Sequence, residues 1–328
     1  MAYLVGGVGV SHSPQLSIPA DGWRAHGDLE QSRLRSMELP ESPRAAADMP
    51  GELTSDTLRT RYARCQKALE STAAALIAMR PDVLVIIGDD QHELFLDDII
   101  PAVSIFWGSA IDDLPPGMSA YPATMEAAYR YYHAETKESY ATEPSLGLHM
   151  VSTLVRESFD VAQLTQQPAG RSLGHAFTFV YRRLLHGLQH PPMVPVFLNT
   201  YYPPNQPTPR RCIDFGRALG AAISAWPPEK RVALVASGGL THPIIDEGLD
   251  RRLLDDLARA DYDDLAYLPV DVLVEGSSEI RNWIAVGAAL EAVRGRLVDY
   301  VPAYRSVAGS GCGMGFFVWD GSSKPVAA

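Results

Sequence analysis

Three short segments carry the residue types with the widest chemical reach: Ser11-His12-Ser13-Pro14, Asp89-Asp90-Gln91-His92, and Ser237-Gly238-Gly239-Leu240-Thr241-His242. Neutral imidazole is the commonest transition-metal ligand, and near pH 7 it is also a general acid or base. Two histidines and one carboxylate around open positions suit non-haem Fe(II) oxygen chemistry. Each of the three histidines stands just past an apolar run. One such residue is ordinarily a hydrogen-bonded loop histidine, but three in the same kind of position point to a shared cleft at the strand ends of an α/β sheet.

The remaining histidines sort by context. His133, His186 and His190 lie in polar helical or helix-end stretches and are expected on the surface. His26 falls in a long loop, as surface or lid, and the place of His149 on a helix stays open. The carboxylate is harder to choose, because Asp89, Asp90, Glu93, Asp246, Glu247, Glu275 and Glu279 all lie near candidate loops. Local physics leans toward Glu279, in the first turn of a helix opened by Gly276-Ser277-Ser278, where backbone N–H groups and the helix dipole stabilise an anion. A helix-capping glutamate explains the same placement and is the more economical reading of the residues alone.

The elements that must position these groups are legible from hydrophobic pattern. Residues 3–10, 83–87, 193–198 and 231–236 are short apolar runs that read as buried strands, with further strands at 100–107, 161–165 and 298–306. Leu58, Tyr62, Cys65, Leu69, Thr72 and Leu76 recur at helical spacing, ending near Arg80-Pro81. Helices are also expected over 123–135, 146–157, 174–188, 244–262 and 277–294, and over 208–226 with Thr208 as N-cap and Pro209 at the first position. Residues 19–56 read as a long loop with at most short helices, and 309–315 as a glycine-rich turn. The expected fold is α/β: one domain over 1–320 with a central mostly parallel or mixed sheet flanked by helices, the active site at strand-end loops, and a flexible tail at 321–328.

Composition narrows the function classes. A net charge of −11 without a Lys/Arg cluster disfavours nucleic acid and anionic membranes as partners. No apolar run approaches the length of a membrane span, and the first ten residues lack the basic start of a secretory signal, which points to the cytoplasm. Three cysteines, Cys65, Cys212 and Cys312, are widely spaced with no CxxC pair, which argues against a disulfide framework or a thiolate zinc site.

Taken together, these segments resemble the class III extradiol ring-cleavage dioxygenases, the family of the protocatechuate 4,5-dioxygenase catalytic subunit and of gallate and 3-O-methylgallate dioxygenases. The similarity runs from Val5 to about Phe317, and the Ser237 to His242 segment is its most specific part. Ser11-His12-Ser13-Pro14 is similar to the family's first ligand loop, residues 83–95 to its strand and second ligand loop, and Leu173-Gly174-His175-Ala176-Phe177, more loosely, to its Asp-His-Gly helix start. Asn199-Thr200-Tyr201-Tyr202-Pro203-Pro204 resembles the stretch that follows, and Gly276 to Trp283 the segment that supplies the acidic ligand.

The resemblance implies Fe(II) held by His12, His92 and Glu279, proton-transfer roles for His242 and His175, and a substrate pocket shaped by Asn199, Tyr201 and Tyr202. It thereby reverses the preference for a merely capping Glu279. One departure stands out. The second loop reads Asp-Asp-Gln-His where the family has Asn-Asp-His, so an ungapped match from Phe95 puts Gln91 at the ligand position; a one-residue adjustment is expected to bring in His92, since glutamine substitutes poorly for imidazole. The implied activity is Fe(II)-dependent cleavage of a gallate-, methylgallate- or protocatechuate-like ring with both atoms of O₂. A ring carboxylate would call for an arginine, with Arg24, Arg210, Arg211 and Arg305 as candidates. The expected partners are a small catechol and O₂, with a homo-oligomer or a small accessory subunit as further expectations, and residues 19–56 and 108–145 as an internal lid. Two rivals share these residues: a metal-dependent hydrolase that generates hydroxide, and a non-catalytic relative acting as a binding module.

Overall fold

A computed structural model describes residues 1–34, 42–44, 46–115, 123–188 and 190–321. Of the expected tail at 321–328, residues 322–328 lie outside the described residues, as do parts of both expected lid segments. Ten strands are assigned among them: β1 (Tyr3–Val10), β2 (Val83–Gly88), β3 (Val103–Phe106), β4 (Ala110–Asp113), β5 (Glu138–Ala141), β6 (Ala162–Leu164), β7 (Met193–Leu198), β8 (Arg231–Ser237), β9 (Gly295–Tyr304) and β10 (Gly311–Trp319). Eight form one sheet in the order β6-β3-β7-β2-β8-β1-β10-β9, and β4 pairs with β5 in a separate hairpin.

The centre of the large sheet, β7-β2-β8-β1, is parallel throughout, while β3 and β10 run antiparallel to it on either side. This mixed α/β architecture is the one expected. Parallel strands must have both faces covered by helices, which is why the β2 run Val83 to Ile87 is apolar at every position and fully buried. Alternate residues feed two separate cores: Leu84 and Ile86 pack with the helix Ser55–Ala78, and Val83, Val85 and Ile87 with the helices Pro209–Ser224 and Ile280–Ala289. Because the four central strands point the same way, the loops after β1, β2, β7 and β8 all emerge at one edge.

Several expected boundaries move. Residues 23–34 form a twelve-residue helix, Trp23–Leu34, inside the expected loop; Trp23 anchors it, fully buried with its indole N–H shared between the carbonyls of Gln15 and Ile18 at 3.1 and 3.0 Å. The helix expected over 123–135 shrinks to a 3-10 turn and Glu126–Tyr129, and the one over 174–188 becomes His175–Phe179 followed by a π-helical turn, Val180–Leu184. The glycine-rich run 309–315 is not a turn over most of its length but the start of β10. A Cβ at Gly313 would lie 2.0 Å from an oxygen of buried Asp250, so glycine marks a close approach there. No helix among the described residues is long and apolar enough to cross a membrane.

Candidate metal centre and active site

The strand-end loops converge on one buried point. His12 follows β1, Asp89 and Gln91 follow β2, Tyr201 follows β7, Gly239 and His242 follow β8, and Glu279 ends the 3-10 turn Glu275–Glu279 that leads into the helix Ile280–Ala289. One ligand atom each from His12, Asp89 and Glu279 lies within 4.8 Å of the other two, and all three residues are buried.

The hydrogen bonds fix which imidazole nitrogen is committed to the protein backbone or a hydroxyl and which one faces the carboxylate. The Ser237 hydroxyl donates to the Ala176 carbonyl at 2.5 Å, so it is the acceptor toward His12 Nδ1 at 3.1 Å, and the His12 proton sits on Nδ1. That leaves Nε2 facing Glu279 Oε2 at 3.3 Å. His242 repeats the pattern: its Nδ1 must donate to the Leu240 carbonyl at 2.9 Å, and its Nε2 lies 3.4 Å from Glu279 Oε1. A nitrogen and a carboxylate oxygen this close need a proton or a cation between them. Supporting donors orient both carboxylates: Tyr201 Oη donates to Glu279 Oε1 at 2.7 Å, the Gly239 N–H to Oε2 at 2.5 Å, and Asn282 Nδ2 to Asp89 Oδ1 at 3.2 Å.

Burial and the Glu279 charge push the Asp89 carboxyl up to about 6. Burial alone would also raise Glu279, but His12 and His242 outweigh it and hold that carboxyl well below its usual range. Two acids share this low-dielectric space, an arrangement relieved by a bound cation. One imidazole and two carboxylate oxygens are a donor set that fits a divalent first-row metal, with ring orientation set by the outer hydrogen bonds.

His92 is not in this group. Its backbone is left-handed, φ +60°, which turns the ring away to stack on Tyr202 at 4.0 Å, with Nε2 3.4 Å from the exposed Asp97. Gln91 points inward instead, its side-chain amide reaching Asp89 Oδ2 at 3.2 Å and Glu279 Oε1 at 3.3 Å. The ungapped register is therefore the one adopted, and the expected one-residue adjustment does not occur. Asp90 explains why: its carboxylate takes the backbone N–H groups of Glu93, Leu94 and Phe95 at 3.2, 2.8 and 3.0 Å, clamping the loop.

The other expected residues divide. His175 stands beside the centre, its ring edge-on to that of His12 with centroids 4.8 Å apart, and its Nδ1 donates to Glu93 Oε1 at 2.6 Å. Burial alone would lower its pKa, but the Glu93 charge and hydrogen bond prevail and raise it to about 9. His242 faces the same cavity, sandwiched between Gly239 and Gly276; a Cβ on Gly276 would lie 2.0 Å from its ring. Tyr201 reaches the centre. Asn199 instead braces its own loop, accepting the Tyr202 N–H and donating to the Tyr202 carbonyl, and Tyr202 is occupied by His92.

Of the candidate arginines, Arg24 is exposed, Arg210 and Arg211 lie over the rings of Tyr267 and Phe159, and Arg305 lines the cavity. Residue reasoning missed His133 and His26. His133 is buried, with Nδ1 2.8 Å from Asp113 and Nε2 3.7 Å from Glu93, and His26 is buried on the cavity wall. Polar sequence neighbours hid the first, and the unrecognised helix Trp23–Leu34 hid the second.

The cavity above the centre holds about 690 Å³, enough for a single-ring molecule, with polar and apolar walls. A buried imidazole and two carboxylates at the strand ends of a mixed sheet, opening on a pocket walled by further histidines, define a site suited to metal-dependent chemistry on a small substrate. The chain belongs to the family described as the catalytic LigB subunit of aromatic ring-opening dioxygenase, whose sequence pattern matches residues 53–313. It is 27% identical over 181 residues to a 2,3-dihydroxyphenylpropionate/2,3-dihydroxicinnamic acid 1,2-dioxygenase of Photorhabdus laumondii, covering 52% of this chain and 49% of that protein. A protein of the same name from Comamonas testosteroni is 23% identical over 177 residues, covering 54% and 48%. A gallate dioxygenase of Pseudomonas putida is 32% identical over 105 residues, covering 31% and 29%. The matches thus span about half or less of the length of these relatives.

Proposed function

We propose that this protein is an Fe(II)-dependent extradiol dioxygenase that opens a catecholic ring with both atoms of O₂, the metal held by His12, Asp89 and Glu279. The observation that carries this reading is the pair of Nε2 atoms, on His12 and His242, both aimed at one buried carboxylate beside a second. Bound Fe(II) would supply adjacent sites at which catecholate and O₂ meet in oriented contact.

The chain's own residues supply the rest. His242 is the general base that takes a catechol proton at Nε2, since its Nδ1 is committed to a carbonyl and the two flanking glycines leave the ring room at the cavity wall. His175, charged beside Glu93, donates a hydrogen bond or proton from Nε2 toward developing oxygen charge. Tyr201 holds Glu279 in position from the substrate side, and buried walls keep bulk water from competing.

The test is anaerobic purification, loading with Fe(II), metal quantification, and oxygen uptake with a panel of catechols. The reading expects one iron per chain and oxygen consumed in equal amount to ring lost, with iron binding abolished in His12→Ala and Glu279→Ala. Stoichiometric metal without oxygen uptake on any catechol would sink it and favour a hydrolase. Absence of metal binding at any concentration would favour a binding module.

A further inference from the structure

If the cavity takes a catecholic ring, the charges on its wall bear on which ring. Bidentate recognition of a substrate carboxylate calls for a free arginine, and among the described residues the cavity-lining arginine is Arg305. That guanidinium is already engaged. Its Nε and Nη2 both donate to Glu30 Oε2, at 2.6 and 2.5 Å, and its Nη1 to Gln15 Oε1 at 2.5 Å, all with the side chain 5% exposed. Glu93 is matched by His175, and Asp89 and Glu279 share the place of the metal.

Glu275 is left over. It lines the cavity, partly buried, and among the described residues its carboxylate makes no hydrogen bond or ion pair. Its backbone sits at φ +47°, a region disfavoured for residues with a Cβ. The turn is locked from both sides: the Ser277 N–H donates to the His242 carbonyl at 2.7 Å, and the Ser277 hydroxyl accepts the His242 N–H at 3.0 Å. A strained, partnerless carboxylate held at a ligand cavity is the feature expected of a group whose partner arrives with the ligand.

Resting on the proposed ring-opening activity, we infer that the cavity selects a catechol whose side chain bears an amine, the ammonium meeting Glu275, and that it discriminates against ring carboxylates. This would set the chain apart from relatives named for gallate and dihydroxyphenylpropionate, both of which are carboxylates.

Anaerobic titration calorimetry on the Fe(II)-loaded protein tests the inference with three probes: 4-(2-aminoethyl)catechol, 4-ethylcatechol and 3,4-dihydroxybenzoate. The amine is expected to bind at least about tenfold more tightly than the benzoate, the scale of one charge-assisted hydrogen bond. Glu275→Gln should bring the amine's affinity down to that of 4-ethylcatechol, and Glu30→Gln, by releasing Arg305, should raise that of the benzoate. Thermal melting establishes that each variant is folded. A benzoate that binds most tightly to the unaltered protein, an amine no tighter than 4-ethylcatechol, or an amine preference that survives Glu275→Gln overturns the inference while leaving the ring-opening reading intact. Failure of all three probes to bind removes that reading and the inference with it.

Discussion

Gln91 is the residue at which this chain departs most clearly from the ligand set its resemblance implies. Its amide can donate to both carboxylates and so braces them, but it adds no second imidazole. Gln91→His should place a nitrogen donor at that position and raise affinity for Zn(II) or Fe(II) by about tenfold, the lower end of what supporting groups contribute at metal sites. Competition against a chromophoric chelator measures this, and an unchanged constant would show that the position does not reach the metal. His242 offers the complementary test. His242→Ala should keep metal and lose roughly 10²- to 10⁴-fold in turnover, the range attributable to a positioned acid or base, whereas a parallel loss of metal would make His242 a ligand.

At the scale of elements, the central strands were legible because parallel strands buried on both faces leave uninterrupted apolar runs, as at 83–87 and 232–236. The Thr208 cap and Pro209 start were legible too, and Thr208 Oγ1 does accept the Arg211 N–H at 3.2 Å. Features set by tertiary contact were not. The helix Trp23–Leu34 has little amphipathic pattern and is held by one buried indole and by the Arg305–Glu30 pair. The inward turn of Gln91 depends on the Asp90 clamp and the left-handed backbone at His92, and neither leaves a periodic trace. The two glycines around His242 are an element-scale device of the same kind. Gly276→Ala would drive a methyl group into the imidazole, and the ring must shift. The expected result is a loss of roughly 1–3 kcal/mol in stability, as for other overpacked sites, and a fall in kcat that exceeds any change in bound metal. Denaturant unfolding with steady-state kinetics on one preparation reads both, and an unaltered kcat would mean that the ring's position is not critical.

Across the whole molecule, the cavity is bounded on one side by the helix Trp23–Leu34 and on the other by the loops that follow the central strands, and His26 lines it from the helix. Its Nδ1 is 3.0 Å from Thr124 Oγ1, and its Nε2 is 3.8 Å from Glu30. Burial first, and the nearby Arg305 charge second, lower its pKa to about 4, against a partial opposing pull from Glu30. The unfolded chain takes up a proton on this histidine near pH 6.5 while the folded one resists until about 4. Between those values the unfolded state binds more protons, so stability rises with pH across the window. The contribution is complete above pH 6.5 and is lost as pH falls toward 4, with a ceiling of about 3 kcal/mol for a shift of this size. Urea unfolding midpoints from pH 7 to pH 4 should therefore fall more steeply in the unaltered protein than in His26→Gln, which keeps a polar side chain but cannot take up the proton. Parallel slopes would mean that the histidine titrates freely, and that the helix is not seated against the Arg305 side of the cavity in solution.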